Sequence, residues 1–320
     1  MRLFVAIFAA LSVAHAATTV KLAVLVPEAT TWGTALKNFA KEAQAATNGE
    51  VQFKIYYGGV SGDEPDVLRK IRVVQMGGGI FTGKTLGDIH GDARVLELPF
   101  TFQQDRAKAM ATLQKLAPRF DAGLAKKGFV NLGYFEVGQV YIVSTKKIDS
   151  LAALRGVKVW AWEGDELVKA MIEAVGLVSV PLAITDVLSS LSTGIIDAAY
   201  APPLGLIALQ WHSKVKYLVD FPTAWSMGAL LVSQKEWGKI PAAHQAKLLA
   251  LARQHVERAN ARTVQENEEA RGILKQAGVQ FLPFPASDAA QADGFRQKAI
   301  AKLKGKLFSA EILEALEAGR

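Results

Sequence analysis

Residues 20–82 read VKLAVLVPEATTWGTALKNFAKEAQAATNGEVQFKIYYGGVSGDEPDVLRKIRVVQMGGGIFT. Val20 to Val26 is β-branched and apolar and stops at Pro27, the signature of a buried strand. Thr31 to Thr47 carries Trp32, Leu36, Phe39, Ala40 and Ala43 at helical spacing, and Asn48-Gly49 ends it. Val51 to Tyr57 alternates as a second strand and breaks at Gly58-Gly59. Asp63 to Met76 returns to helical spacing through Val67, Leu68, Ile71 and Val74, and Gly77-Gly78-Gly79 predicts a turn before Ile80 and Phe81. Strand, helix, strand, helix in this order predicts an α/β fold with a parallel or mixed sheet covered by helices. In such sheets ligands collect at the carboxyl ends of the strands. Three loops fall there, 27–32, 57–62 and 77–82, and they bring Trp32, Tyr57 and Phe81 forward as candidate ligand contacts.

Working outward, 127–145 reads as two extended pieces, Val130–Phe135 and Val140–Ser144, with Glu136-Val137-Gly138 between them as a crossing point between domains. A second α/β unit follows over roughly 144–220. It has strands at 156–162, 178–181 and 194–200, a helix over 165–174 stopped by Gly176, and a helix from Thr185 to Leu191. Ala224 to Val232 reads as a strand returning to the first unit. From Pro241, a favoured first helical residue, a pattern through Leu248, Leu249, Leu251, Ala252, Val256 and Ala259 runs to about Gln276. Some 35 residues at ~1.5 Å each span roughly 50 Å, enough to brace two domains. The expected organisation is domain I over 17–140 and 221–250, domain II over 141–220, a long bracing helix over 241–276, and short C-terminal helices over 277–320 packing across the domains.

The amino terminus predicts export. Arg2, the apolar run Leu3–Val13 and Ala14-His15-Ala16 form a signal peptide over 1–16, cleaved after Ala16. The run is well short of the roughly 20 residues that cross a bilayer, and the absence of cysteine excludes a lipid anchor and disulfides. The expected location is the periplasm. Half the residues are hydrophobic and mean hydropathy is +0.17, which points to a large core, an apolar cavity, or both. The net charge of +7 is spread over mixed-sign helices with no basic block among aromatics, so nucleic acid is not an expected partner. The five histidines do not cluster; His244 and His255 lie eleven apart on the long helix and read as solvated. No metal or cofactor is expected. Gly77-Gly78-Gly79 lacks the Lys-Ser/Thr of a phosphate loop, and there is neither a Gly-x-Ser-x-Gly elbow nor a Cys nucleophile. Glu163 and Asp165 would be the acid and base of a secreted hydrolase, but Asp165 reads better as a helix cap and Glu163 as a loop residue. An enzyme is not expected.

Four motifs in order carry a family resemblance. They are Val95-Leu96-Glu97-Leu98-Pro99-Phe100, Leu154-Arg155-Gly156-Val157-Lys158-Val159-Trp160, Leu191-Ser192-Thr193-Gly194-Ile195-Ile196-Asp197, and Val215-Lys216-Tyr217-Leu218. With the signal peptide and the long helix, the chain from about Val20 to Lys304 resembles the solute-binding proteins of TRAP transporters, the DctP-like family. The resemblance implies a periplasmic binding protein-like fold: two α/β domains joined by crossing strands, a hinge, a domain-spanning helix and a ligand cleft between the domains. It also implies hinge closure on the ligand and delivery to a TRAP membrane permease.

One position departs from the family. Its usual arginine on the strand after Leu154-Arg155-Gly156 holds a substrate carboxylate with a planar fork; here Trp160 stands there. An indole offers an apolar face and one N–H donor. Trp160 and Trp162 share a strand face, so the expected cleft is aromatic-walled and suited to an apolar or amphipathic ligand. The candidate contacts are Trp32, Tyr57, Phe81, Glu136, Gly138, Trp160, Trp162, Glu163, Tyr200, Pro202, Trp225 and Met227. A subgroup of the family that works with a helical-repeat periplasmic partner and hydrophobic ligands is the nearer resemblance. The alternatives are a binding protein for an ABC permease or sensor kinase, and a periplasmic lipid chaperone.

Overall fold

In chain order the strands are β1 (Thr18–Ala23), β2 (Val51–Tyr56), β3 (Gly78–Thr82), β4 (Phe129–Ser144), β5 (Lys158–Trp162), β6 (Val178–Leu182), β7 (Ala198–Ala201), β8 (Tyr217–Val219), β9 (Ala224–Ser233) and β10 (Gln280–Leu282). The computed structural model that defines them describes residues 17–102 and 105–318; the signal peptide expected over 1–16 lies outside the described residues. The strands join in the order β2-β1-β3-β9-β4-β7-β5-β6, with β8 on β4 and β10 on β8. β1 runs parallel to β2 and β3, and β5 runs parallel to β6 and β7. Between these parallel sets lie the antiparallel pairs β3-β9, β9-β4 and β4-β7.

Helices cover both faces, so neighbouring residues of one strand enter different cores. In the first half of the sheet, Phe81, Ala229 and Leu231 enter one apolar cluster, while Ile80, Leu230 and Val232 enter another. In the second half, Trp160 and Trp162 enter one and Val159 and Ala161 the next.

β4 carries the crossing. As far as Val140, opposite Ala224, it pairs with β9; from Tyr141, opposite Ala201, it pairs with β7. One sixteen-residue strand thus stands where two extended pieces were expected. Its register shifts between Glu136 and Gly138. Such a bulge leaves a residue unpaired and bends the strand, so β4 can turn from one half to the other without leaving the ladder. Gly138 adopts φ +118°, and a Cβ there would meet Asn267 Nδ2 at 2.8 Å.

Where a turn was expected at Gly77–Gly79, Gly78 and Gly79 instead open β3. Gly78 is needed for close approach: a Cβ would lie 2.2 Å from the Leu231 carbonyl oxygen. The helix before it ends at Arg72, and Val74, expected to continue its apolar stripe, is exposed, as is Val73.

The long helix is Ala242–Gln276, thirty-five residues behind Pro241. It buries Leu248, Ala252, Val256, Ala259, Thr263 and Ala270, a stripe at spacings of three, four and seven. It packs on the helix Thr31–Ala46, on β4 and on the short helix Pro203–Ala208, and so touches both halves. Two asparagines seven apart clamp the bulge. Asn260 Nδ2 donates to the Tyr134 carbonyl (2.8 Å) while its Oδ1 accepts from the Glu136 amide (2.8 Å). Asn267 Nδ2 donates to the Val137 carbonyl (3.2 Å) while its Oδ1 accepts from the Leu204 amide (3.1 Å). His255, expected in solvent, is buried on this helix, edge-on to Phe39. Among the described residues no helix is long and apolar enough to cross a membrane.

Candidate functional site

The loop after β1 is built locally. Thr30 Oγ1 donates to the Pro27 carbonyl (2.7 Å) and accepts from the Gly33 amide (3.1 Å), capping the helix Thr31–Ala46 and folding Pro27–Thr30 over its start. Trp32 Nε1 then donates to Thr263 Oγ1 (3.2 Å), and Thr31 Oγ1 donates to Glu266 Oε1 (2.5 Å). These bonds fix the carboxyl end of β1 against the long helix. The Trp32 ring lies 4.8 Å from that of Phe135.

The space beside this junction is a cavity of about 300 Å³. One wall is the segment Val24–Pro27 that follows β1, with Trp32; the opposite wall is Ile184 with Leu204, Gly205, Ala208 and Leu209. Ile80 and Thr82 of β3 and Val137 of the β4 bulge also line it. The cavity therefore sits where strand ends of the first half face a helix of the second, beside the crossing strand. Its charged lining consists of Glu64 and Glu266; among the described residues that line it there is no Lys, Arg or His.

Glu64 opens the helix Glu64–Arg72, which Asp63 caps. It is 4% exposed, and its carboxylate accepts from the Thr82 amide (2.7 Å) and the Thr82 hydroxyl (2.8 Å). Burial pushes its pKa up to about 8, against these hydrogen bonds and with help from the charges of Asp63 and Glu97. Glu266 is better compensated, since Arg262 Nε donates to the oxygen that Thr31 also meets.

Of the residues singled out in the sequence, Trp32 lines this cavity. Glu136 and Gly138 line a smaller neighbouring pocket of about 170 Å³ with Arg106, Asn267 and Arg271. There Glu136 is already engaged, by a two-pronged Arg106 guanidinium (2.7 and 2.8 Å) and by Trp225 Nε1 (3.2 Å). Tyr57 is half-buried against the first half's core, where burial, and secondarily Glu28, pushes its pKa up to about 12.

The aromatic wall expected from Trp160 and Trp162 is a core instead. Trp160 is 3% exposed; it stacks on Tyr200 at 4.8 Å, meets Trp211 edge-on at 5.3 Å, and donates its N–H to the Leu182 carbonyl (3.0 Å). Trp162 is buried beside it and donates to Asp63 Oδ2 (3.1 Å). With faces packed and donors engaged, neither indole is presented to the cavity. Phe81 and Met227, both 0% exposed, and Trp225 belong to the core of the first half, because β3 and β9 are covered on that face by helices. Pro202 is buried where β7 gives way to the helix Pro203–Ala208. Glu163 is exposed, and Asp165 is occupied as the cap of the helix Glu166–Val175 and as partner of buried Arg94 (2.7 Å). These two carboxylates do not form a reactive pair.

Sequence reasoning missed Glu64, Glu266, Ile184 and the Leu204–Leu209 wall. One signal was available for the wall: an apolar helix starts at Pro203, just past the end of a strand, which is where ligands collect.

The family model of the bacterial extracellular solute-binding proteins, family 7 (DctP), matches residues 22–306. A protein of Verminephrobacter eiseniae described as a solute-binding protein is 27% identical over 269 residues, 81% of this chain and 77% of that one. The C4-dicarboxylate-binding periplasmic protein DctP of Rhodobacter capsulatus is 22% identical, covering 85% of this chain and 82% of its own. Among solved structures, a TRAP periplasmic solute-binding protein of Desulfovibrio salexigens with bound orotic acid superposes with TM-score 0.86 at 21% identity, over 94% of this chain and 98% of that one. One of Chromohalobacter salexigens with bound D-glucuronate superposes with TM-score 0.85 at 22% identity, over 94% and 100%. These likenesses establish a shared fold, that of two α/β units with a long helix. Together with the match over 22–306, they show that the chain belongs to the DctP family of bacterial extracellular solute-binding proteins, a family of binding proteins and not of enzymes.

Proposed function

We propose that this chain captures a small apolar or amphipathic molecule in the cavity beside the crossing strand and delivers it, in the periplasm, to the membrane permease of a TRAP transporter. The observation that carries the ligand class is the lining: apolar side chains on both walls, two carboxylates, and no Lys, Arg or His among the described residues. The structural relatives named above hold orotic acid and D-glucuronate. A carboxylate of that kind is held best by a cation or a guanidinium fork, and Trp160, at the position of the family's arginine, is buried in an aromatic cluster. The two lobes of this reading are 17–140 with 221–250, and 141–220. The change of partner on β4 between Val140 and Tyr141 and the bulge held by Asn260 and Asn267 support a hinge there.

Native mass spectrometry of the protein purified without exchange tests the ligand class. The expected result is an adduct that organic extraction removes and that proves to be an apolar or amphipathic small molecule. A tightly held succinate or D-glucuronate, with no apolar ligand, would overturn it.

A further inference from the structure

Glu64 is an unusual group for an apolar cavity. Its two oxygens each accept one bond from Thr82. An ionised carboxylate offers about four acceptor positions, so capacity remains for a guest. The charges of Asp63 and Glu97 are negative and add to the effect of burial on its pKa. The cavity's second carboxylate, Glu266, shares its charge with Arg262. Glu64 has no such counter-ion among the lining residues.

We infer, on the basis of the apolar-cleft reading above, that the ligand is an amphipathic amine whose apolar body packs against Trp32, Ile184 and Leu204 and whose ammonium group donates to the Glu64 carboxylate. The ammonium supplies the counter-charge that a buried carboxylate lacks, and a charge-assisted hydrogen bond is about twice as strong as a neutral one. A hydroxyl head would gain a neutral hydrogen bond only. A carboxylate head would bury its own charge in a lining that offers no Lys, Arg or His among the described residues.

Calorimetric titration of the full chain with octylamine, octanol and octanoate tests this, because the three share one apolar body. Octylamine is expected to bind at least about tenfold more tightly than octanol, and octanoate most weakly. In Glu64→Gln the amine should lose that advantage while octanol keeps its affinity. Equal binding of octylamine and octanol, or an amine preference that survives Glu64→Gln, overturns the head-group assignment and leaves the apolar cleft standing. Binding of D-glucuronate with none of the three overturns the cleft reading and this inference with it. If Glu64→Gln does not fold, the order of the three ligands on the unaltered protein decides the matter.

Discussion

Trp162 and Asp63 lie ninety-nine residues apart in sequence and are joined across the two halves of the sheet by an indole N–H···carboxylate bond of 3.1 Å. Trp162 ends β5, and Asp63 caps the helix Glu64–Arg72 that leads into the cavity. The bond therefore ties the Glu64 turn to the second half. Burial raises the pKa of Asp63, and the indole donor works against that rise. Trp162→Phe keeps most of the packing and removes the donor. It is expected to cost about 1–3 kcal/mol in urea unfolding, the usual cost of a buried polar group left without its partner, and to weaken ligand binding. Unchanged stability and unchanged binding would show that the link is incidental.

A second tie crosses at Arg94. Its buried guanidinium meets Glu97 and Asp165, each at 2.7 Å, and Asp165 also caps the helix Glu166–Val175. Arg94→Met leaves two buried carboxylates without their cation and is expected to destabilise by about 3–5 kcal/mol. Asp165→Asn, which can retain the cap and leaves Glu97 paired, is expected to cost less. The reverse order, read from denaturant midpoints, would contradict this account of the triad.

Trp160→Arg restores the residue type that the family resemblance leads one to expect. Packed between Tyr200 and Trp211, it would bury a guanidinium in an apolar cluster and is expected to cost at least about 3 kcal/mol without conferring D-glucuronate binding. A stable variant that gains such binding would place the ligand at Trp160 and not beside Trp32.

Glu64 sets a pH dependence. Its folded pKa of about 8 lies above the ordinary value of 4.5, so the folded state holds the proton where the unfolded state has lost it. Its contribution to stability is full below pH ~4.5, declines as the pH rises and is exhausted above pH ~8. In the ligand-free protein, Glu64→Gln should flatten the fall in melting temperature across that window. A fall as steep as in the unaltered protein would show that Glu64 titrates normally. An ammonium ligand should displace the proton, so amine binding near pH 7 should release protons, measurable as a buffer-dependent binding enthalpy.

Much of the fold was legible because it follows from local pattern. The apolar period of Val20–Val26 gave a strand, Gly176 gave a helix stop at φ +86°, and Pro241 with its following stripe gave the long helix. What failed was global. Gly77–Gly79 has the composition of a turn, but Gly78 and Gly79 stand in a strand, and Gly78 is fitted to the close approach of β9, which no local pattern encodes. Val74 extends an apolar period yet faces solvent. The strands β8 and β10, three residues each, are too short to show a period and pair with each other across sixty-three residues of sequence. The site was harder still. Trp160 stands at the motif position that the family resemblance singles out, but the neighbours Tyr200 and Trp211 close over it. Glu64 reads as an ordinary first-turn acid and becomes distinctive only when Thr82 and the cavity enclose it.

The cavity is apolar and, among the described residues that line it, has no Lys, Arg or His, and Trp32 on its wall provides an intrinsic probe. Titration of the purified chain followed by tryptophan fluorescence, with D-glucuronate and with octylamine in parallel, tests the apolar-cleft reading most directly. The amphipathic amine is expected to give a saturable change, lost in Trp32→Phe, and D-glucuronate none. A saturable change with D-glucuronate and none with the amine would contradict that reading.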